Sequence, residues 1–526
     1  GAVSAALAIQ REINPTGDAV PEDRRMRFRI GVHLGDVIEK ADGTVYGDGV
    51  NIAARLEGLA EPGGITVSES IRTAVKGKIG ATFEDQGEQQ VKNISEPVRA
   101  YRVRLEGDTA SKPSPAAGVI DLPLPDKPSI AVLPFENMSS DPEQGFFGDG
   151  LAEDVITALS KISSLFVIAR NSSFAYKGQP TDVRKISREL GVRYVLEGSI
   201  RATKTQIRIT AQLIDAIDGH HLWAERYDRK LDDIFAIQDE MTREIVTALR
   251  LRLSDGESAQ IWLGGTRNVD AWTYALSALD LTLNGTPGGT AQGRLLYEKA
   301  IAVDPGYASA IATIGLSHIL DHHFGFSEDR ERSLRLAEEY TERALALESN
   351  LPLARATRGM VALYYGRHEE AVREAQLANR LSPSDAFIKI VFARILIDLG
   401  RPQEAEAQLR EGMRLNPFCP VFYYGILANA LELQQRDAEA MRILERALAR
   451  NPNYFAGHLR LASLLGLAGQ SENARKHAQE AMRINPRFDA SAVKGFYKTG
   501  DRAAVSKFVD GLKKAGMTFD GIGTDR

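Results

Sequence analysis

The chain has 526 residues, 43% of them hydrophobic and 26% charged, a composition that excludes wholesale disorder and, at about 150 residues per domain, predicts three or four domains. Its 65 basic and 70 acidic residues give a net charge of −5 with no long block of one sign, so no extended charged surface for DNA or an anionic membrane is predicted and nucleic acid is not expected as a partner. A local basic groove and peripheral membrane contact stay open. The single cysteine, Cys419, excludes an intramolecular disulfide. No apolar run is long enough to span a membrane and no signal peptide is visible, so we expect a cytoplasmic protein without a transmembrane segment.

The N-terminal segment, residues 1–106, alternates strand and helix patterns. Arg27–Val37 alternates polar and apolar residues and ends at a glycine turn, which is typical of a strand. Thr44–Leu56 then passes from a glycine-rich turn into a helix on which Asn51 and Arg55 are four residues apart. Residues at this spacing share one helix face, and an amide beside a guanidinium suits a sugar oxygen and a phosphate. Taken alone, such a pair is more often part of a solvated helix face.

A proline-rich stretch, residues 107–128, cannot hold a helix or a central strand and is predicted to be a semi-rigid linker. Residues 129–255 after it combine short apolar runs with helix patterns, which predicts a compact α/β domain. Within that domain, Tyr194–Ile200 and Gln206–Ile214 are typical of paired strands. The dipeptide Asp218-Gly219 predicts a hairpin turn after them.

The third segment, residues 265–518, contains a repeat. A polar residue before proline recurs after 34, 35 and 34 residues, at Ser382-Pro383, Asn416-Pro417, Asn451-Pro452 and Asn485-Pro486. Two further series have the same spacing: Gly366, Gly400, Gln435 and Gly469, and Ala371, Ala405, Ala440 and Ala474. This is the tetratricopeptide pattern, which predicts an all-α solenoid of stacked helix pairs. The solenoid either binds a protein or peptide in its concave groove or only spaces the other domains. An extra stretch of about 10 residues near His323–Ser333, in an earlier and less regular unit, is expected to be a loop.

Two other patterns invite a ligand interpretation. The glycine-rich stretch Gly145–Gly150 lies near a helix start, but its spacing matches no phosphate loop and Asp149 would repel a phosphate. His318 and His322 have the i, i+4 spacing of helical metal sites, but no glutamate follows His318 as it does in zinc proteases. We therefore predict an acidic helix entry in the first case and no metal site in the second.

The N-terminal segment resembles the C-terminal part of the class III adenylate/guanylate cyclase catalytic domain. The resemblance rests on Gly31–Gly35, Tyr46–Leu56 and Pro62–Ser68, and on the likeness of Gly87–Ile94 and Val98–Val103 to that domain's closing strands. The fold it implies is a partial ferredoxin-like α/β domain. The activity it implies is the formation of cyclic AMP and pyrophosphate from ATP in bacterial signal transduction.

The resemblance also implies roles for individual residues. Asn51 matches the family asparagine that contacts the ribose and orients the 3′-hydroxyl. Arg55 matches the arginine that stabilises charge on the reacting phosphate. Thr44 falls where the family reads the base and implies adenine, although guanine is not excluded. Lys92 lies near a family lysine that meets the triphosphate.

Other parts of the family's active site have no counterpart in the sequence. The family binds two Mg²⁺ or Mn²⁺ ions through aspartates upstream of the helix with which this sequence begins, and Asp36, Asp42 and Asp48 do not lie in the matching motifs. Because the chain starts at Gly1 inside a helix pattern, we expect a truncated domain that is inactive alone and that its missing strands prevent from folding. Family cyclases are dimers in which each subunit completes the other's site, so a homodimer is implied.

Residues 129–255 resemble the TolB amino-terminal-like domain that often follows bacterial cyclase domains. The matching residues are Ile130–Asn137, Gly148–Leu151, Val195–Ser199 and His221–Tyr227. This resemblance implies a relay or interaction module. The sequence therefore favours a truncated adenylate cyclase with C-terminal regulatory modules. The alternative is a non-catalytic tetratricopeptide scaffold that carries a degenerate cyclase remnant.

Overall fold

The computed structural model describes residues 2–13, 29–35, 38–39, 45–46, 48–60, 64–75, 81–89, 98–105, 122–139, 144–179, 182–203, 205–254, 257–258, 265–283, 287–324, 326–327, 329–486, 488 and 502–518. The chain divides into two units, Gly1–Gly118 and Val119–Arg526, and each is considered by itself. No helix within the described ranges is both long enough and apolar enough to cross a membrane.

The first unit is an α/β sheet structure. Its elements are α1 (Ala2–Ile13), β1 (Ile30–Val32), β2 (Ile38–Glu39), β3 (Val45–Tyr46), α2 (Asp48–Leu59), β4 (Ile65–Ser68), α3 (Glu69–Val75), β5 (Ala81–Gln89) and β6 (Val98–Leu105). Four strands form a sheet in the order β1-β4-β6-β5, in which β1 and β4 are parallel and the other pairs are antiparallel. The fully buried strand β4 lies inside the sheet because all four of its residues are apolar or small hydroxyl residues.

This unit has its own hydrophobic core. Val3 and Ala6 of α1 pack with Val67 of β4 and with Tyr101 and Val103 of β6, and all five are buried. The apolar face of α1 and the sheet therefore cover each other. The expectation that missing strands prevent this segment from folding stays a prediction.

The second unit begins with a mixed α/β domain. Its elements are β7 (Ser129–Val132), β8 (Glu136–Asn137), α4 (Gly145–Ser160), β9 (Phe166–Val167), α5 (Arg170–Ser173), α6 (Val183–Leu190), β10 (Tyr194–Ala202), β11 (Gln206–Asp215), β12 (His220–Lys230) and α7 (Ile234–Ala248). The sheet order is β12-β11-β10-β7-β9, with β8 paired to β10. The predicted strand pair is confirmed as β10 and β11, antiparallel with Ile200 opposite Ile209. The predicted turn between β11 and β12 is also present, with Gly219 in the left-handed region at a φ of 79°.

Antiparallel helices fill the rest of the second unit. They are α8 (Val269–Leu283), α9 (Pro287–Val303), α10 (Ala308–Phe324), α11 (Arg330–Leu347), α12 (Pro352–Tyr364), α13 (His368–Leu381), α14 (Ala386–Asp398), α15 (Pro402–Leu415), α16 (Phe422–Leu433), α17 (Asp437–Arg450), α18 (Phe455–Leu467), α19 (Ser471–Ile484) and α20 (Arg502–Lys514). The repeat pattern is confirmed because its alanines, Ala371, Ala405, Ala440 and Ala474, are all completely buried.

The irregular unit differs from the prediction of a loop. Helices α10 and α11 have 17 and 18 residues, whereas α12 and α13 have 13 and 14. The extra residues near 323–333 therefore mainly lengthen two helices. The loop prediction was wrong for both ends of this stretch, because α10 continues through His322 and His323, whose rings both contact the Tyr364 ring of α12, and α11 begins at Arg330.

The repeat position occupied by Gly366, Gly400, Gln435 and Gly469 lies just after the first helix of each pair. Gly366, Gly400 and Gly469 have φ values of 73°, 70° and 77°, and Gln435 adopts the same left-handed conformation with a φ of 61°. The next residue then donates back to the helix, as Arg401 N does to the Leu396 carbonyl at 2.8 Å. This is a Schellman-type helix end, which needs a left-handed residue at that position.

Because a Cβ on Gly400 would meet nothing within 4 Å, Gly400→Ala tests the backbone conformation alone. We expect it to destabilise the array by about 1 kcal/mol, the cost of a left-handed residue with a side chain. Gln435→Gly is the matched reverse change, and it should leave stability unchanged or raise it. Urea denaturation followed by circular dichroism measures both variants. A stabilising Gly400→Ala would contradict the assignment of this turn.

The α/β domain and the repeats are joined by hydrogen bonds at two turns between repeats. Ser384 Oγ donates to the Leu165 carbonyl at 2.8 Å, and Ala169 N donates to the Leu415 carbonyl at 2.9 Å. Ser172 is completely buried; its Oγ donates to Asn416 Oδ1 at 2.6 Å and accepts from Phe418 N at 2.8 Å. The two turns are residues 382–386 and 414–418. Their contacts with the α/β domain are called the junction below.

An apolar cluster and an arginine complete the junction. Ala386 and Leu415 of the repeats belong to the same buried cluster as Ile168 of the α/β domain. The Arg414 guanidinium donates to the carbonyls of Leu190, Gly191 and Pro123 at 2.7–3.0 Å. The two regions that the sequence assigns to separate domains therefore share one core, and the last residues of the predicted linker are bound to both.

Ser172→Ala tests the junction. The change leaves the Phe418 N–H and the Asn416 side-chain carbonyl without their partner in a buried place, so we expect a loss of about 1–3 kcal/mol. Ser277→Ala is the matched control, since Ser277 is exposed and bonds only within its own helix. Urea denaturation followed by tryptophan fluorescence measures both, and equal effects of the two changes would contradict the importance of the junction.

Candidate functional site

The helix that carries the predicted Asn–Arg pair, α2, is held very close to strand β1. A Cβ on Gly31 would lie 2.1 Å from the Ala53 carbonyl oxygen and 2.3 Å from Glu57 N. Only a glycine allows this approach of a strand to a helix backbone. Ile52 and Leu56 of the same helix are buried against the sheet. The backbone of α2 is therefore fixed on the sheet by close contact and by apolar packing.

Asn51 and Arg55 occupy successive turns of α2, as predicted. Each directly precedes a buried residue, Ile52 or Leu56, so the pair lies along one flank of the buried stripe. The backbone thus brings these two positions together on one face. The structure has the predicted helix over these positions, and the roles of the two residues stay predictions.

The glycine turn after β1 reaches the beginning of this helix. A Cβ on Gly35 would lie 3.1 Å from the Gly49 Cα, near the first residues of α2. The first backbone N–H groups of a helix have no partner within it and favour anions. The turn, the helix start and the Asn51–Arg55 face are therefore neighbouring features of one edge of the first unit.

His33 is a polar residue of this edge to which the sequence patterns assigned no individual role. Its Nδ1 lies 2.9 Å from Ser68 Oγ, which in turn lies 2.9 Å from Ser70 Oγ. Partial burial lowers the pKa of His33. The bond links the ends of the parallel strands β1 and β4. Sequence patterns could not reveal it because the two residues are 35 positions apart.

The remaining predicted site residues, Thr44 and Lys92, lie outside the described residues. The described residues contain no group of three or more His, Cys, Asp or Glu side chains that could hold a metal ion. They therefore do not fit a Mg²⁺ or Mn²⁺ site by themselves.

The glycines near α4 have packing roles. A Cβ on Gly148 would lie 2.5 Å from the Phe135 carbonyl oxygen, and one on Gly150 would lie 2.3 Å from a Leu276 methyl group. Asp149 forms an ion pair with Lys177. This stretch allows α4 to approach its neighbours closely and shows no feature of a phosphate loop.

His318 takes part in a buried polar contact. Its Nδ1 lies 2.6 Å from Arg294 Nη1, while Arg294 Nη2 donates to Asp321 Oδ2 at 2.7 Å. Burial, with the Arg294 charge as a second cause, lowers the pKa of His318 to about 4. A neutral imidazole that accepts from an arginine connects α9 to α10, and this explains the residue without a metal.

The close contact at Gly31 can be tested directly. Gly31→Ala introduces a methyl group where the helix backbone already lies, so we expect overpacking to cost at least about 1–3 kcal/mol. Hydrogen–deuterium exchange should show lost protection of the β1 and β4 amides. Gly288→Ala, at a helical position where nothing lies within 4 Å, should leave the exchange pattern unchanged. Unchanged protection in Gly31→Ala would contradict the described contact.

Residues 3–104 match the family described as "Adenylate and Guanylate cyclase catalytic domain", and residues 423–464 match "Tetratricopeptide repeat". Residues 126–244 match "HilA/YgeH-like transcriptional regulator, second domain". A class III cyclase domain and tetratricopeptide repeats are thus supported. The TolB-like assignment of residues 129–255 stays a prediction.

One relative agrees with the first of these matches, and two solved structures are similar to parts of the chain. The chain is 44% identical over 380 residues to "Putative adenylate cyclase 3" of Rhizobium meliloti (strain 1021), covering 70% of this chain and 63% of the relative. The chain therefore spans less than two thirds of the length of that protein. A solved structure, "Adenylate/Guanylate Cyclase/Hydrolase from Silicibacter pomeroyi", is 37% identical over 20% of this chain and 62% of its own length, with a TM-score of 0.19. The structure of Pseudomonas aeruginosa pilF is 19% identical over 42% of this chain and 94% of its own length, with a TM-score of 0.32.

Proposed function

We propose that residues 1–106 supply part of an adenylate cyclase active site that forms cyclic AMP and pyrophosphate from ATP. The observation that carries the proposal is the placement of Asn51 and Arg55 one turn apart on a helix fixed to the sheet through Gly31. The match of residues 3–104 to the cyclase catalytic domain supports the same assignment.

In the proposed reaction the ribose 3′-oxygen attacks the α-phosphorus, and pyrophosphate leaves. The reaction needs positioning of the hydroxyl and neutralisation of charge rather than a covalent intermediate with the protein. We assign the positioning of the ribose to Asn51. Arg55 donates to the phosphate oxygens as negative charge develops on them, a task for which its planar, permanently charged guanidinium is suited.

Substrate recognition would involve two further residues. We assign the reading of adenine to Thr44, whose hydroxyl can accept from the exocyclic amino group. Lys92 is assigned to the triphosphate as a compact positive charge. ATP rather than GTP is therefore the proposed substrate.

Mg²⁺ or Mn²⁺ would neutralise the triphosphate in such a reaction. Because the described residues do not fit a metal site, we propose that the metal ligands come from outside them. A second cyclase subunit is the proposed partner, since the family's sites are completed across a dimer.

The second unit is proposed to regulate the cyclase. The junction makes the α/β domain and the repeats one unit, so a protein or peptide bound in the groove of the repeats can act on the α/β domain without an intervening hinge. We propose that the α/β domain, as a TolB-like relay module, passes this signal on.

The test is cyclic AMP formation from ATP with Mn²⁺, measured for this chain and for a version carrying whatever coding sequence precedes Gly1. We expect activity in the longer version and little in this chain alone. Asn51→Ala and Arg55→Ala should each lower kcat by about 10²–10³-fold, the usual effect of removing one preorganised donor. Glu57→Ala, an exposed residue of the same helix, is the control and should retain activity.

Three outcomes would each overturn part or all of this assignment. A longer version that is folded and dimeric but inert with either metal would favour the non-catalytic scaffold. Equal activity with GTP would contradict the role of Thr44. Retained activity in both Asn51→Ala and Arg55→Ala would remove the proposed roles of the two residues while leaving the cyclase reaction itself in place.

A further inference from the structure

A cavity of about 410 Å³ lies between the α/β domain and the first repeats, beside the junction. Its walls come from α4, α7, α8, α9, α10 and α14 and from the turns near residues 266, 307 and 352. Pockets of roughly 300–1,000 Å³ are the size that holds a small organic molecule. The cavity is far larger than the space a single water molecule needs.

Most of the wall is apolar and aromatic. Trp272 and Phe235 line it in an edge-to-face pair with ring centroids 5.7 Å apart, and Leu276 and Tyr297 continue the surface. Trp272 is almost completely buried by the α/β core, with an exposed fraction of 2%. The aromatic rings therefore form a rigid layer behind the half-buried Leu276, and the Leu276 side chain is the apolar surface that a ligand can contact here.

Three polar groups in the cavity have unused hydrogen-bonding capacity. Asp154 Oδ2 accepts from Trp272 Nε1 at 2.8 Å and from Gln238 Nε2 at 2.7 Å, whereas its Oδ1 accepts no hydrogen bond from the described residues. Asp385 Oδ1 accepts from the first backbone amides of α14, and its Oδ2 has no such partner in the described ranges. The hydroxyl of Tyr307, whose exposed fraction is 8%, forms no hydrogen bond with any described residue.

The two carboxylates are accessible from the cavity although they lie deep in the protein. Both line the cavity and are half-buried, yet burial raises the pKa of each. Each carboxylate is partly exposed because it faces the cavity, and its pKa is raised because protein surrounds it on the other sides. A buried acceptor without a partner costs free energy, and a ligand that donates to it recovers that cost.

The charges around the cavity favour a cation. The Arg267 guanidinium forms an ion pair with Asp239 at 2.7 Å, and Arg170 pairs with Glu153 at 3.0 Å. Lys161 interacts electrostatically with Glu348 and Asp154, and burial lowers its pKa to about 8. Among the described residues the wall carries four carboxylates, Glu153, Asp154, Asp239 and Asp385, against Lys161 and Arg267, with Arg170 paired to Glu153, so negative side chains outnumber positive ones even when Lys161 is charged. An anionic ligand would be repelled there.

We propose that this cavity binds a small organic amine, with its ammonium group bonded to Asp154 Oδ1 and the Tyr307 hydroxyl and its apolar body against Leu276, which the buried Trp272 ring supports from behind. Asp385 adds to the negative potential of the site. The site is independent of the cyclase proposal, because no residue of the first unit takes part in it.

Binding of an amine should depend on pH. The pKa of Asp154 is raised to about 7 by burial, so lowering the pH through this value neutralises the carboxylate and weakens binding. Raising the pH towards 8 and above also discharges Lys161, which strengthens binding further. The titratable and charged groups around Asp154 either line the cavity or interact electrostatically with a group that does. They are Glu153 and Lys161 on α4, Asp239 on α7, Arg267, Tyr297 on α9, Asp304, Tyr307, Glu348 and Asp385. Burial brings the pKa values of two of these groups close to neutrality, that of Asp154 to about 7 and that of Lys161 to about 8.

The experiment is isothermal titration calorimetry of the full chain with 2-phenylethylamine, compared with 2-phenylethanol and phenylacetate. We expect the amine to bind at least about tenfold more tightly than the alcohol, the effect of a charged hydrogen bond, and phenylacetate not to bind. Affinity for the amine should fall by about tenfold between pH 8 and pH 6. No ATP is needed, so the result does not depend on cyclase activity.

Two variants locate the site. Asp154→Asn should lose the amine preference and its pH dependence, whereas Asp232→Asn, an exposed acid outside the cavity, should bind as the parent does. Thr313→Phe fills the cavity from α10 without removing a charge and should abolish binding with the thermal transition retained. It keeps the test decisive should Asp154→Asn fail to fold.

Three results would each overturn the proposal. The first is tighter binding of phenylacetate than of the amine. The second is unaltered amine binding in Thr313→Phe, which would place the amine elsewhere. The third is no binding of any of the three probes at millimolar concentration.

Discussion

The second unit depends on hydrogen bonds between the turns of the repeats and the α/β domain. Each repeat needs a polar residue before proline to end one helix pair and begin the next. At Asn416 the side-chain carbonyl accepts from Ser172 of the α/β domain, whereas at Asn451 the same atom accepts from Asn453 of its own turn. One sequence motif therefore serves either as a local turn or as a docking contact, and the difference lies in the surface that meets it.

The repeat array could be predicted in detail because its determinants are local. A residue at each 34-residue step faces the same neighbours as its equivalents, so buried alanines and left-handed helix ends follow from the spacing. The i, i+4 position of Asn51 and Arg55 is local in the same sense. The junction and the amine cavity could not be predicted, because Ser172 and Asn416 are 244 positions apart and no periodicity connects them. The packing of α1 on the sheet of the first unit could not be predicted for a related reason, since Val3 and Tyr101 are far apart in the sequence.

Glycines also show that sequence patterns do not reveal contacts between distant parts of the chain. Gly31 belongs to a pattern that resembles a catalytic domain, while Gly148 and Gly150 looked like a phosphate loop that was rejected on spacing. In the structure all three allow another chain segment to approach within 2.6 Å of where a Cβ would lie. A glycine-rich pattern therefore reports a close approach of backbones or side chains, and the chemistry of the site must be argued from the residues around it.

The junction also has a consequence for synthesis on the ribosome. The chain emerges from its N-terminus, so Ile168 and Leu190 of the α/β domain are made more than 190 residues before Ala386 and Leu415, with which they share a buried cluster. At about 5–20 residues per second, that apolar surface stays uncovered for roughly 10–50 seconds on each new chain. During this interval the nascent α/β domain offers a patch to which a chaperone, or another nascent chain, can bind. The order of the two parts in the gene therefore makes translation speed a determinant of how much protein reaches the folded state.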